Sequence, residues 1–203
     1  MQRLGLSDST PRTEGRLKSL FWPSVRSETD LEYVTEQGFW ICSIVSAMSL
    51  SLLVQTGSGL GRFFVAFEIA FFFLGGIGVR QRSRFAAVAV FGAYLCVKLL
   101  QLAMAGPYLV NQVAALGSGG IIGVIILALL LANIRGIWQA AKWQPAEGEP
   151  PLIRLNETFK DKFADQMPQF VWPKVRILFY VLAGFEFLIL LLAGIGIAFQ
   201  LSK

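Results

Sequence analysis

Histidine is absent from the 203 residues. That absence removes His-ligated haem, histidine-based catalytic dyads and the commonest zinc ligand together. Cysteine is scarce: only Cys42 and Cys96 occur, both inside apolar runs. Free cysteine behaves there as a small hydrophobe, so the sequence implies packing, with no disulfide and no metal pair. Charge is scarce too, at 15% of residues, where soluble domains carry about a quarter. No apolar stretch precedes Phe39, which excludes a secretory signal peptide. The glycine runs hold neither a phosphate-binding G-x-x-x-x-G-K-S/T loop nor a dinucleotide fingerprint. A nucleophile elbow and paired cytoplasmic carboxylates are missing as well. The sequence therefore points away from an enzyme and calls for no cofactor and no metal.

Apolar residues fill the space that charge leaves, at 55% of the chain. They fall into runs approaching the ~20 residues that cross ~30 Å of hydrocarbon at about 1.5 Å per residue. The runs predict five transmembrane helices near residues 38–55, 63–79, 85–105, 119–137 and 175–199. The fold class expected is an all-α integral membrane bundle with cytoplasmic amphipathic segments. Residues 1–37 read as a cytoplasmic tail followed by an interfacial segment, in which Leu17, Phe21 and Trp22 alternate with Arg16 and Lys18. Residues 38–138 form a four-helix transmembrane region, with Gly119 and Gly123 as a small-xxx-small face. Gly106-Pro107 stops the third span, and the uncharged linker 108–118 follows, with re-entry into the bilayer left open. Residues 139–174 form a cytoplasmic loop. Asn156 caps a short amphipathic helix there, with Phe159, Phe163 and Met167 on one side, suited to lying on the bilayer or on other cytoplasmic segments. Residues 175–203 carry the fifth span.

Net charge of +5 would suit a nucleic-acid partner, but the charges follow the membrane instead. Five Lys and Arg residues lie in the tail, three in the Arg80–Arg84 turn and seven from Arg135 to Arg176. Only Arg62 and Lys203 fall on the opposite side. The positive-inside rule then places the N-terminus in the cytoplasm and the C-terminus outside a bacterial inner membrane. The sequon Asn156-Glu-Thr158 falls in a cytoplasmic loop, where it is a chance match. The pattern W-P-x-V-R occurs at Trp22–Arg26 and Trp172–Arg176, as a remnant of duplication or as one interfacial solution used twice.

Three ionisable residues lie inside spans: Glu68, Lys98 and Glu186. A lone charge at mid-bilayer costs about 3 kcal/mol on insertion scales, so each needs a partner or water. Glu68 lies six residues in from Arg62 and Lys98 eight in from Gly106, roughly 9 and 12 Å deep at helical rise. Antiparallel neighbours joined by a short turn pack together, which predicts a Glu68–Lys98 ion pair. Tyr94 and Gln101 share the Lys98 face at i−4 and i+3. Glu186 sits between Phe185 and Phe187 with no charged partner assigned.

Phe67-Glu68, the Arg80–Arg84 turn, Lys98 and Leu131-Ala-Asn-Ile-Arg-Gly136 leading to Trp143 resemble a loosely defined group of small bacterial multi-pass inner-membrane proteins. The resemblance covers about the middle half of the chain and implies the topology alone, since that group has no assigned activity. The function expected is a non-catalytic accessory, scaffold or lipid-contacting protein. Its partners are membrane lipids, a second copy or another membrane protein, and not nucleic acid. The alternative is a small oligomeric ion- or proton-coupled transporter or channel subunit using Glu68, Lys98 and Glu186.

Overall fold

The structure, a computed structural model, describes residues 18, 21–23, 25, 28–57, 59–105, 109–140 and 159–201. Those residues are helical with no strand: α1 Glu28–Gln55, α2 Gly59–Arg80, α3 Arg84–Ala105, α4 Leu109–Ala140 and α5 Phe159–Leu201. Each contains a segment long and apolar enough to cross a membrane. Helix α2 packs on α1 and α3, and α4 closes a ring by touching both α3 and α1. Helix α5 lies outside that ring, against α2 and α3.

Glycine and alanine set how closely these helices approach. A side chain at Gly76 would collide with Cys42 Cβ of α1 at 2.7 Å. One at Gly78 would meet Ala86 of α3 at 2.6 Å and the Trp172 ring of α5 at 2.5 Å. The glycine-rich end of α2 is thus where three neighbours converge on one backbone. Aromatic rings fill the next layer up. Phe71 stacks on Phe179 at 5.5 Å, and Phe72 meets Tyr94 edge-on at 6.2 Å. Phe71 and Phe72 are fully buried.

The α2–α3 turn is held by its own backbone. Ser83 N–H donates to the Gly78 carbonyl (2.9 Å) and Arg82 N–H to the Val79 carbonyl (3.0 Å). This is the pair of bonds of a Schellman helix end. It requires a left-handed residue, and Arg82 takes φ 58° where glycine is usual. Ser83 then caps α3, its hydroxyl accepting from Ala86 N–H at 3.3 Å.

Two boundaries differ from the sequence reading. The loop over 139–174 and the separate fifth span from 175 do not describe residues 159–201, which form one helix through Pro168 and Pro173. A proline removes an i→i−4 hydrogen bond, which is why the sequence suggests a break. Here the carbonyl orphaned by Pro168, that of Ala164, accepts from Arg80 Nε at 3.2 Å. Of the two placements open to the apolar stripe, Phe163 takes a protein neighbour, lying 6.1 Å from Phe39 and 6.4 Å from Trp40 of α1. Residues 109–118, read as a linker, are the first turns of α4. The expected Asn156 cap, the Gly106-Pro107 stop, the sequon and the tail before Lys18 lie outside the described residues.

Candidate functional site

The level at which Gly78, Ala86 and Trp172 meet serves as a ruler. Glu68, Lys98 and Glu186 lie ten, twelve and fourteen residues from it along α2, α3 and α5, about 15, 18 and 21 Å at helical rise. The spread is about one helical turn, so three charges from three helices lie at one depth.

Each helix adds something to this centre. Ser49 of α1 lies beside the Glu68 carboxylate. One turn earlier, Ser46 Oγ lies 2.9 Å from the Cys42 carbonyl and 3.2 Å from that of Ile69, pinning α1 beside the Glu68 backbone. On α3, Lys98 Nζ donates to Gln101 Oε1 at 3.0 Å and sits 5.3 Å from the centroid of the Tyr94 ring. On α4, Gly123 leaves room for the lysine stem. A Cβ there would stand 3.3 Å from Lys98 Cε. On α5, Glu186 is only 6% exposed.

Lys98 is near enough to Glu68, and Glu68 to Glu186, for the charges of each pair to interact without contact. The expected Glu68–Lys98 ion pair does not close as a direct contact. The ammonium turns to Gln101 one turn along its own helix, and the carboxylate has Ser49 beside it. Glu186 finds no hydrogen-bond partner among the described residues, and Glu68 is the charge that faces it. Of the five residues proposed from the sequence, Tyr94, Lys98 and Gln101 touch one another, with Gly123 facing the lysine stem, while Glu68 and Glu186 make no direct contact with them.

No protein-family model, curated protein or solved structure matches this chain. What the polar groups do is read from their own surroundings.

A second polar cluster, which the sequence did not reveal, lies at the opposite end of α2. Arg80 counted in the sequence as one of three basic residues of the turn, and it is 8% exposed. Its guanidinium joins three helices. Nη1 donates to the Glu32 carbonyl (3.0 Å) and Thr35 Oγ1 (2.7 Å) of α1. Nε donates to the Ala164 carbonyl, and Nη2 pairs with the Asp165 carboxylate of α5. Five donors in a planar fork suit arginine to this task, where lysine has one point charge. The signal available in the sequence was Asp165 three residues before Pro168: an acid beside a carbonyl that the helix cannot satisfy. An open polar cleft of about 430 Å³, lined by Glu32, Arg80, Arg82, Asp165 and Gln169 among others, adjoins the clasp. At the same end Arg135 donates to the Pro23 carbonyl at 2.9 Å and lies 4.6 Å from the Trp22 ring.

Proposed function

We propose that the chain is a non-catalytic inner-membrane protein that works as an accessory or scaffold subunit, docking through α5 onto another membrane-spanning helix. The observation that carries this reading is the placement of α5. Its membrane-crossing stretch is 11% buried, against 33–39% for the other four. Exposed apolar residues along it include Val181, Phe185, Leu188, Leu192 and Ile195. Their 4-3-4-3 spacing is the seam on which helices pair knob into hole. Gly184 and Gly196 have nothing within 4 Å of a would-be Cβ, so a second backbone can come close beside the seam.

The orientation belongs to the same proposal. Among the described residues, Arg80, Arg82, Arg84, Arg135, Lys174 and Arg176 lie toward the end where the Arg80 clasp sits, and Arg62 lies toward the other. That end faces the cytoplasm by the positive-inside rule, which leaves the C-terminal end of α5 outside.

Cross-linking tests the docking. With Cys42 and Cys96 replaced by serine, single cysteines at positions 181, 185, 188 and 192 are oxidised in native membranes. A covalent adduct at seam positions, absent from a cysteine at position 183 on the buried face of α5, is the expected result. Uniform absence of adducts, with the purified chain monomeric and free of co-purifying protein, would refute it. Labelling of single cysteines at positions 57 and 83 by an impermeant maleimide tests the orientation separately.

A further inference from the structure

We infer that the polar cleft beside the Arg80 clasp binds a small zwitterion, an anionic oxygen group and an ammonium carried on one short head. The site rests on neither the docking of α5 nor the direction in which the chain is threaded.

The cleft encloses about 430 Å³ between α1, α2 and α5, within the range of about 300–1,000 Å³ that small-ligand sites occupy. Its walls are held in place by contacts of the fold itself. Arg80 Nη1 donates to the Glu32 carbonyl at 3.0 Å, Nε donates to the Ala164 carbonyl at 3.2 Å, and Nη2 pairs with Asp165. One guanidinium thus sets the spacing of all three walls. The turn that carries Arg82 is fixed by the backbone bonds from Arg82 to Val79 and from Ser83 to Gly78. Walls that stand ready lose little freedom when a ligand arrives.

The lining limits what that ligand is. Gln81, Gln166 and Gln169 each offer an amide donor and an amide acceptor. Arg80 and Arg82 supply two positive charges, and Glu32 and Asp165 two negative ones. Among the described residues, no aromatic or aliphatic side chain lines the cleft, so an apolar ligand would bury nothing against its walls. A bare anion meets no net positive charge there, and a bare cation no net negative charge. A neutral polyol would use the glutamines and leave the charges without counterparts. A zwitterion engages every wall: its anion meets Arg82, its ammonium meets Glu32, and its remaining polar atoms meet the amides. A guanidinium has five donors and a carboxylate about four acceptor sites, so Arg82 and Glu32 each take a ligand group alongside their protein partners.

Two sources present such a head. Arg80 is the last residue of α2, a helix of membrane length, so the cleft lies where phospholipid headgroups lie. Arg82 is also exposed, which opens the same groups to a free solute.

Thermal unfolding of the full chain in nanodiscs of anionic phosphatidylglycerol separates the two. In one arm phosphatidylethanolamine replaces part of the lipid. In the other, phosphoethanolamine is titrated in solution, with ethanolamine and glycerol phosphate as controls that carry one sign each. A saturable rise in melting temperature with a zwitterion, and none with either control, is the expected result. A rise with soluble phosphoethanolamine identifies a free solute as sufficient, and a rise confined to phosphatidylethanolamine identifies the lipid headgroup. Arg82→Gly removes the guanidinium and suits the left-handed backbone of the turn (φ 58°). Glu32→Gln removes the charge and keeps the carbonyl that Arg80 holds. Each should raise the half-saturating concentration by about tenfold or more. Gln169→Glu, at an exposed position outside the clasp, should also weaken binding and serves if either variant fails to fold. No rise with either zwitterion, an equal rise with a control, or a rise that the folded variants keep at the wild-type concentration overturns the inference. Adducts at α5 form or fail regardless, so the two proposals fall independently.

Discussion

Replacing Arg80 by alanine removes four hydrogen bonds made by one side chain to α1 and α5. Breaking a buried ion pair by deleting one partner costs about 3–5 kcal/mol. Asp165 is 23% exposed, so water takes up part of its charge and the lower end, about 3 kcal/mol, applies. The specific element in the reasoning is Pro168, which deprives the Ala164 carbonyl of its helical donor and hands it to Arg80 Nε. A net hydrogen bond contributes about 0.5–1.5 kcal/mol. In Pro168→Ala, residue 168 regains an N–H aimed at that carbonyl, so Arg80→Ala should cost about 1 kcal/mol less than in wild type. Equilibrium unfolding in mixed micelles of mild detergent and dodecyl sulfate, followed by helix circular dichroism, gives all four corners of the cycle. An equal cost of Arg80→Ala in both backgrounds would show that the proline and the arginine are not linked. A total loss below about 1 kcal/mol would remove the clasp from the stability of the fold altogether.

At the polar centre, Glu68→Ala should impair assembly more than Glu68→Gln, and Glu68→Lys combined with Lys98→Glu should recover part of the single-variant loss. A coupling of about 1 kcal/mol in the same unfolding assay is expected, and equal damage in single and double variants would show no coupling. Gly78→Leu should lower stability by about 1–3 kcal/mol or more, because Trp172 and Ala86 leave no volume there; a melting curve unchanged within error counts against the close approach. Cys96 is half-buried and Cys42 fully buried. A lipid-permeant maleimide should therefore label the first and spare the second, read by mass spectrometry. Arg135→Gln should release the Trp22 segment by about 1 kcal/mol or more, seen as faster proteolysis near residue 22.

The single-helix features of the polar centre were legible in the sequence, and the features that join distant helices were not. Tyr94, Lys98 and Gln101 follow from i, i+3 and i+4 spacing on one helix, and the depth match of Glu68 with Lys98 follows from a short turn and a fixed rise. Their separate partners did not follow, because nothing in the spacing says that Ser49, nineteen positions before Glu68, lies beside it. Glu186 looked isolated for the same reason: its neighbour is on a helix 118 positions earlier in the sequence. Five membrane-length helices were readable from hydropathy, whereas the continuity of α5 was hidden. Two prolines five residues apart signal interruption locally, and only a guanidinium from another helix accounts for the first of them. The burial of Arg80 was not legible, because three basic residues in a short turn look alike until one of them is found buried.

Ser83 closes one helix and opens the next, so the hairpin has no slack residue in which a change of length could be absorbed. Adding one residue there would turn α3 by about 100° about its axis and swing Lys98 off the side that meets Glu68. Three hydrogen bonds at the base of two rods thereby govern the angular phase of side chains some four turns away. Lengthening this bend should be tolerated far worse than lengthening the glycine-rich bend between α1 and α2.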